Sequence, residues 1–115
     1  MTRKAPAPAS PLAEFELLVL LAVLQRRDEA YPLAIRDAIE ERSGRPASRA
    51  AVFITLERLE DKGLVTSRYG DPTPVRGGRS KRYFTATPSG VAAVKRSLAM
   101  VSSMTAGLEA VLRKA

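Results

Sequence analysis

From Ser48 to Phe84 the chain runs SRAAVFITLERLEDKGLVTSRYGDPTPVRGGRSKRYF, and the first part of this run has the marks of a helix. Ser48 is a favourable N-cap, because its hydroxyl can accept one of the amide hydrogens that a first helical turn leaves unpaired. Val52, Leu56 and Leu59 recur at steps of four and three, so they share one face and should turn to a core. Gly63 suits the left-handed backbone with which helices commonly end. The face left over carries Arg49, Ala50, Phe53, Ile54 and Glu57.

Beyond the glycine, Leu64 to Tyr69 reads as a short strand and Lys81 to Thr87 as a second. The prolines and glycines of Gly70 to Ser80 preclude regular structure there, which predicts a projecting loop. Arg76, Arg79, Lys81 and Arg82 fall within seven positions with no acidic residue among them. A helix followed at once by a two-stranded ribbon with an arginine-loaded tip is the order of a winged helix. Arg49 and the small Ala50 at the helix start suit a DNA major groove about 12 Å wide, and the loop suits phosphates. A basic run is often only a solvated hairpin; its place after this helix favours DNA. Phe53 has two readings, core filler or a ring against a thymine methyl or sugar.

Upstream, Tyr31-Pro32 opens another helix, since proline is preorganised for the first turn, and Gly44 stops it. Leu33, Ile35, Ala38 and Ile39 form its inward face, with Arg36, Asp37, Glu40 and Glu41 toward water. Leu12 to Arg27 is the first helix, apolar on nearly every side and therefore in need of more than one cover. Either Phe15, Leu18 and Ala22 serve the domain's own core and leave Leu17, Leu20 and Leu24 for a partner, or the helix is wholly internal. Residues 1–11, with Arg3, Lys4 and several prolines, read as a flexible basic arm.

Downstream, Thr87-Pro88 caps a helix that should continue through residues 88–115. Val91, Val94, Leu98, Val101, Thr105, Leu108 and Leu112 recur at steps of three and four, a coiled-coil seam with one polar break. Such a helix would be roughly 40 Å long, more than a small body can cover. The same helix of a second subunit is the expected cover; folding back on the first helix is the alternative. Gly107 should weaken the last turns. The expected fold is mostly α with a small β-wing: a winged helix-turn-helix over residues 12–87 and a long C-terminal dimerisation helix.

Composition narrows the function. At 115 residues there is room for one domain, and a net charge of +7 suits a polyanion. The chain has no Cys and no His, hence no thiolate, no imidazole base and no conventional zinc set, so neither an enzyme nor a metal site is expected, and no cofactor. The longest apolar run, Leu17 to Leu24, is far short of the roughly 20 residues that span a bilayer. With no leader-like segment before it, a cytoplasmic location is expected.

Several pieces together resemble the PadR family of transcriptional regulators: Phe15-Glu16-x-Leu18-Val19-Leu20, Tyr31-Pro32-x-x-Ile35, Ala51-Val52-Phe53-x-x-Leu56-x-Arg58-Leu59-Glu60-x-Lys62-Gly63-Leu64-Val65, Gly77-Gly78-Arg79-x-Lys81-Arg82-Tyr83-Phe84 and Thr87-Pro88-x-Gly90. The resemblance implies a homodimer, held through the C-terminal helix and helix one, that represses by binding a pseudo-palindromic site in double-stranded DNA. It also implies a small-molecule effector in some members, entering near the dimer interface. The matching DNA contacts are Tyr31, then Ser48, Arg49, Ala50 and Phe53, and in the wing Arg76, Gly78, Arg79, Ser80 and Lys81. On those two helices the apolar spacing read above gives the expected dimer positions: Leu17, Leu20, Val91, Val94, Leu98, Val101, Leu108 and Leu112. Two departures stand out. Phe53 replaces the usual Tyr and loses its hydroxyl, and Ala86 replaces the usual Leu under the wing. The short C-terminal helix points to the compact branch, and without Trp no ligand can be sandwiched between indoles. The expected effector is apolar or aromatic. A winged helix used as a protein-interaction module is the competing function, with Phe53 and Ile54 on its contact face.

Overall fold

The protein is described here by a computed structural model covering residues 11–71 and 80–114. The elements run α1 (Glu14–Arg26), a 3-10 turn (Arg27–Glu29), α2 (Pro32–Ser43), α3 (Arg49–Asp61), β1 (Val65–Tyr69), β2 (Arg82–Ala86), α4 (Pro88–Thr105) and α5 (Glu109–Lys114). The mostly helical winged-helix architecture expected from the sequence is the one observed. The arm expected at residues 1–11 lies, apart from Pro11, outside the described residues, as do Arg76, Gly78 and Arg79 of the wing loop.

Local chemistry accounts for the ends of the elements. The Ser48 hydroxyl accepts from the Ala51 amide at 3.0 Å, opening α3. At its other end Gly63 takes φ +76°, and its amide and that of Leu64 return to the carbonyls of Glu60 and Leu59, closing the helix with a left-handed cap. Gly44 ends α2 in the same conformation, φ +71°. Arg27, which joins α1 to the 3-10 turn, has φ 50° and ψ −120°; a side chain makes that backbone costly, on the order of 1 kcal/mol or more.

The core is built by α1, α2 and α3 with the ribbon laid across them. Val19, Leu20, Ile35, Val52, Leu56, Leu59, Val65 and Phe84 are its largest fully buried side chains. β1 and β2 pair antiparallel, Val65 opposite Ala86 and Tyr69 opposite Arg82. The Phe84 amide also donates to the Ala30 carbonyl at 2.8 Å, so the wing is tied to the segment just before α2. α4 leaves the wing through Thr87, whose hydroxyl accepts from the Gly90 amide and donates to the Gly63 carbonyl. At Gly90 the helix presses on the backbone: a Cβ there would lie 2.1 Å from the Leu64 carbonyl oxygen.

A charged pair, Glu16 with Lys62, lies at the edge of the interior. The Glu16 carboxylate is buried, accepting from the Ala13 amide at 2.9 Å and from Lys62 Nζ at 2.7 Å. Burial pushes its pKa up, but the Lys62 and Ala13 hydrogen bonds and the charges of Lys62 and Arg58 outweigh that, and the net effect is a lowered value. The pair joins the start of α1 to the end of α3.

Several expectations are corrected. Leu20 is 0% exposed and Val94 5%, so both belong to the protomer's own core and not to a surface that a partner could cover. α1 thus divides differently from the expected stripe: Val19, Leu20, Ala22 and Val23 are buried, Phe15, Leu17 and Leu18 are half-buried, and Leu24 is exposed. Leu33, expected inside, is exposed, while Arg36 and Glu40 are half-buried. The single long C-terminal helix is in fact two: α4 stops at Thr105, Gly107 adopts φ +87°, and α5 restarts at Glu109. The left-handed glycine interrupts the hydrogen-bond ladder that the heptad spacing alone would carry through. Among the described residues no helix is long and apolar enough to cross a membrane.

Candidate nucleic-acid interface

Three elements carry the contacts expected from the sequence. The first is the opening of α3. Ser48, Arg49 and Ala50 are exposed there, and the Arg49 side chain makes no ion pair or hydrogen bond with the described residues. Its guanidinium keeps its donors for an outside acceptor beside a helix N-terminus whose partial positive charge also favours anions. One turn on, Phe53 is 44% exposed and Ile54 56%. Of the two readings of Phe53, core filler therefore fails and a surface ring remains.

The second element is the start of α2, where Tyr31 occupies the N-cap position with Pro32 after it. The third is the base of the wing. The structure brings these two together. Lys81 Nζ sits 4.2 Å from the Tyr31 ring centroid, and the Tyr31 and Tyr83 rings meet edge to face at 5.9 Å. The Arg68 guanidinium lies over the Tyr83 ring, 4.8 Å from its centroid. Register explains the stack: Arg68 stands directly opposite Tyr83, so their side chains share one face of the ribbon. Lys81 and Arg68 are exposed cations held in place by rings, each such contact worth about 0.5–1 kcal/mol at a surface. Arg68 was not singled out from the sequence, because its importance depends on the strand register.

Arg82 departs from the sequence reading, which grouped it with the loop arginines. It points inward from β2. Its Nη1 donates to Glu57 at 2.6 Å, its Nη2 to Glu60, and its Nε to the Ser67 hydroxyl at 3.1 Å. Ser67 in turn donates to Glu60 at 2.7 Å. The guanidinium also lies 4.9 Å from the centroid of the Phe84 ring. Burial lowers its pKa, but the Glu57 hydrogen bond and the charges of Glu57 and Glu60 overcome this and raise it, so the group is always charged. The signal was present in the sequence: side chains alternate along a strand, and Arg82 stands two residues from the core residue Phe84 and hence on its face.

The expected dimer positions separate into three groups. Leu98, Val101, Leu108 and Leu112 are all exposed, as is every described residue from Leu98 to Lys114. Leu17 and Val91 are half-buried, and Leu20 and Val94 are internal.

Comparison with known proteins gives a consistent result. The model of the transcriptional regulator PadR-like family matches residues 20–96. The crystal structure of a PadR family transcription regulator from hypervirulent Clostridium difficile R20291 is similar, with a TM-score of 0.66 at 22% identity over 84% of this chain and 97% of that one. RosR of H. salinarum gives a TM-score of 0.67 at 23% identity, covering 93% of this chain and 96% of that one. A PadR family transcriptional regulator from Eggerthella lenta DSM 2243 gives 0.65 at 23% identity, with 86% of each chain covered. At these identities the likeness to solved structures shows the fold. No curated protein matches significantly by sequence.

Proposed function

The chain belongs to the PadR-like family of transcriptional regulators, and from that premise we propose that it is a dimeric repressor, reading a pseudo-palindromic operator with α3 while the wing and the start of α2 hold phosphates. Transcription regulation follows from the family; the finer parts are our reading. One observation carries it most. Arg49 is exposed and unengaged among the described residues, at the first position of a helix whose outer face is open. Tyr31 and Lys81, packed on one another, offer a second contact point, and Arg76, Gly78, Arg79 and Ser80 extend the wing by sequence. Repression then needs no catalysis, because a protein seated on a promoter excludes other proteins from it. Such a regulator works in the compartment that holds the DNA, in keeping with the cytoplasmic location expected from the sequence.

Two protomers are part of this reading because α4 and α5 project an apolar surface that one protomer leaves open. An apolar or aromatic effector has a hollow of about 160 Å³ along α1 and α2, lined by Leu18, Leu21, Ala22, Gln25, Ala38, Ile39 and Arg42. That is smaller than the roughly 300 Å³ at which pockets for drug-sized ligands begin, so a larger effector needs a wall from the partner. The competing function, a protein-interaction module, draws on exposed Phe53 and Ile54.

Selection of duplexes from a randomised library tests the reading, with wild type and Arg49→Ala compared. We expect the wild type to enrich a twofold-symmetric sequence. Arg49→Ala should lose on the order of 1–3 kcal/mol on that sequence and flatten the preference at one position per half-site. Uniform weakening on all sequences would reassign Arg49 to the backbone, and no enrichment at all would favour the protein-interaction function.

A further inference from the structure

Resting on the DNA-binding reading above, we infer that Arg82 is a positioning residue: it clamps the wing to the recognition helix, setting the angle between the two elements that meet DNA. Its side chain is 19% exposed, and all three kinds of guanidinium nitrogen are satisfied inside the protein, by Glu57, Glu60 and Ser67. These acceptors stand on two elements, Glu57 and Glu60 on adjacent turns of α3 and Ser67 on β1, while Arg82 itself stands on β2. One planar group thereby ties both wing strands to the last two turns of α3. Its fork geometry matters, since a guanidinium can hold two carboxylates at fixed angles where an ammonium holds a point.

The alternative is that Arg82 is another phosphate contact that merely rests on carboxylates while DNA is absent. The two roles differ in sign at Glu60. Near a polyanion, deleting a carboxylate that only occupies a DNA-contacting arginine should tighten binding. Deleting a carboxylate that forms half of a clamp should weaken it. They differ also in salt dependence. A lost phosphate contact lowers the slope of log K against log salt by about 0.9, whereas a loosened wing keeps its contacts and binds them at a cost in ordering.

The experiment uses the full chain as wild type, Arg82→Met, Glu60→Gln and the double variant. Each is measured on a duplex that the wild type selects from a randomised library, over several salt concentrations and well below its own melting temperature. Glu60→Gln is isosteric and keeps an acceptor for Ser67, so it remains informative if Arg82→Met folds poorly. Expected are a loss of affinity on the order of tenfold for either single variant and no further loss in the double, the coupling typical of residues in one network. The salt slope should stay at the wild-type value. A slope reduced by about one in Arg82→Met with tighter binding by Glu60→Gln overturns the inference in favour of a phosphate contact. Lower melting temperatures with unchanged affinity overturn it in favour of a purely structural role. If the wild type selects and binds no duplex, the DNA-binding reading itself fails and the inference falls with it, an outcome visible before any variant is made.

Discussion

Glu16 gives up water for one amide and one ammonium, so its ionised form is worth stability only while those partners hold it. Its folded pKa is lowered from the ordinary 4.5, which fixes the sign: the contribution is fully present above that value and is lost as pH falls through the lower, folded one. Glu16→Gln should therefore cost on the order of 1 kcal/mol near neutral pH, less than the roughly 1.5–3 kcal/mol of a hydrogen bond to a charged group, because Lys62 is 41% exposed and solvent screens it. It should also flatten the fall of stability below about pH 4.5. Thermal melts of both proteins between pH 3 and 7 check this; parallel curves would mean that Glu16 does not titrate differently on folding. Single residues were legible in the sequence where their chemistry is local. Ser48, Gly44 and Gly63 act on their own helix ends, and each stands where it was read. Glu16 with Lys62 and Arg82 with Glu57 were not legible, being separated by 46 and 25 positions and joined only by tertiary packing.

At the scale of elements, α4 meets the rest of the fold through a close backbone approach at Gly90. Alanine normally favours a helix interior by about 1 kcal/mol over glycine. Here the added Cβ would overlap the Leu64 carbonyl, which is itself held by the Thr87 amide. Gly90→Ala is predicted to destabilise by about 2–3 kcal/mol, measured by denaturant unfolding; a stabilised variant would mean that α4 can shift without cost. The order of helices and strands was legible because period, caps and turn residues agree. What the period could not supply was the use of each apolar residue. Leu20 and Val94 fit a partner-facing seam equally well by spacing, and only the packing of α1, α4 and the ribbon draws them inside. The C-terminal helix was read as continuous for a related reason. A heptad pattern counts side chains and is blind to the backbone, and at Gly107 the backbone decides.

For the whole molecule the surface left by α4 and α5 is the controlling feature. Leu98, Val101, Met104, Leu108, Val111 and Leu112 are between 42% and 74% exposed. Covering what remains exposed of these side chains on both copies, at about half of the roughly 1.5–3 kcal/mol that full burial gives each, is a gross gain of about 9–18 kcal/mol, set against a cost of association of about 4–15 kcal/mol. A second copy offers the same surface, and twofold pairing would set two α3 helices to face successive major grooves about 34–36 Å apart. The expected dimer and the expected DNA reading thus stand together, because one winged helix alone makes few base contacts. Sedimentation of wild type and Leu98→Glu at micromolar concentration, with duplex binding followed on the same samples, tests this most directly. The account predicts a wild-type dimer that binds its selected duplex and a folded Leu98→Glu monomer that has lost it; a wild-type monomer, or a Leu98→Glu monomer that binds as tightly as wild type, would contradict it.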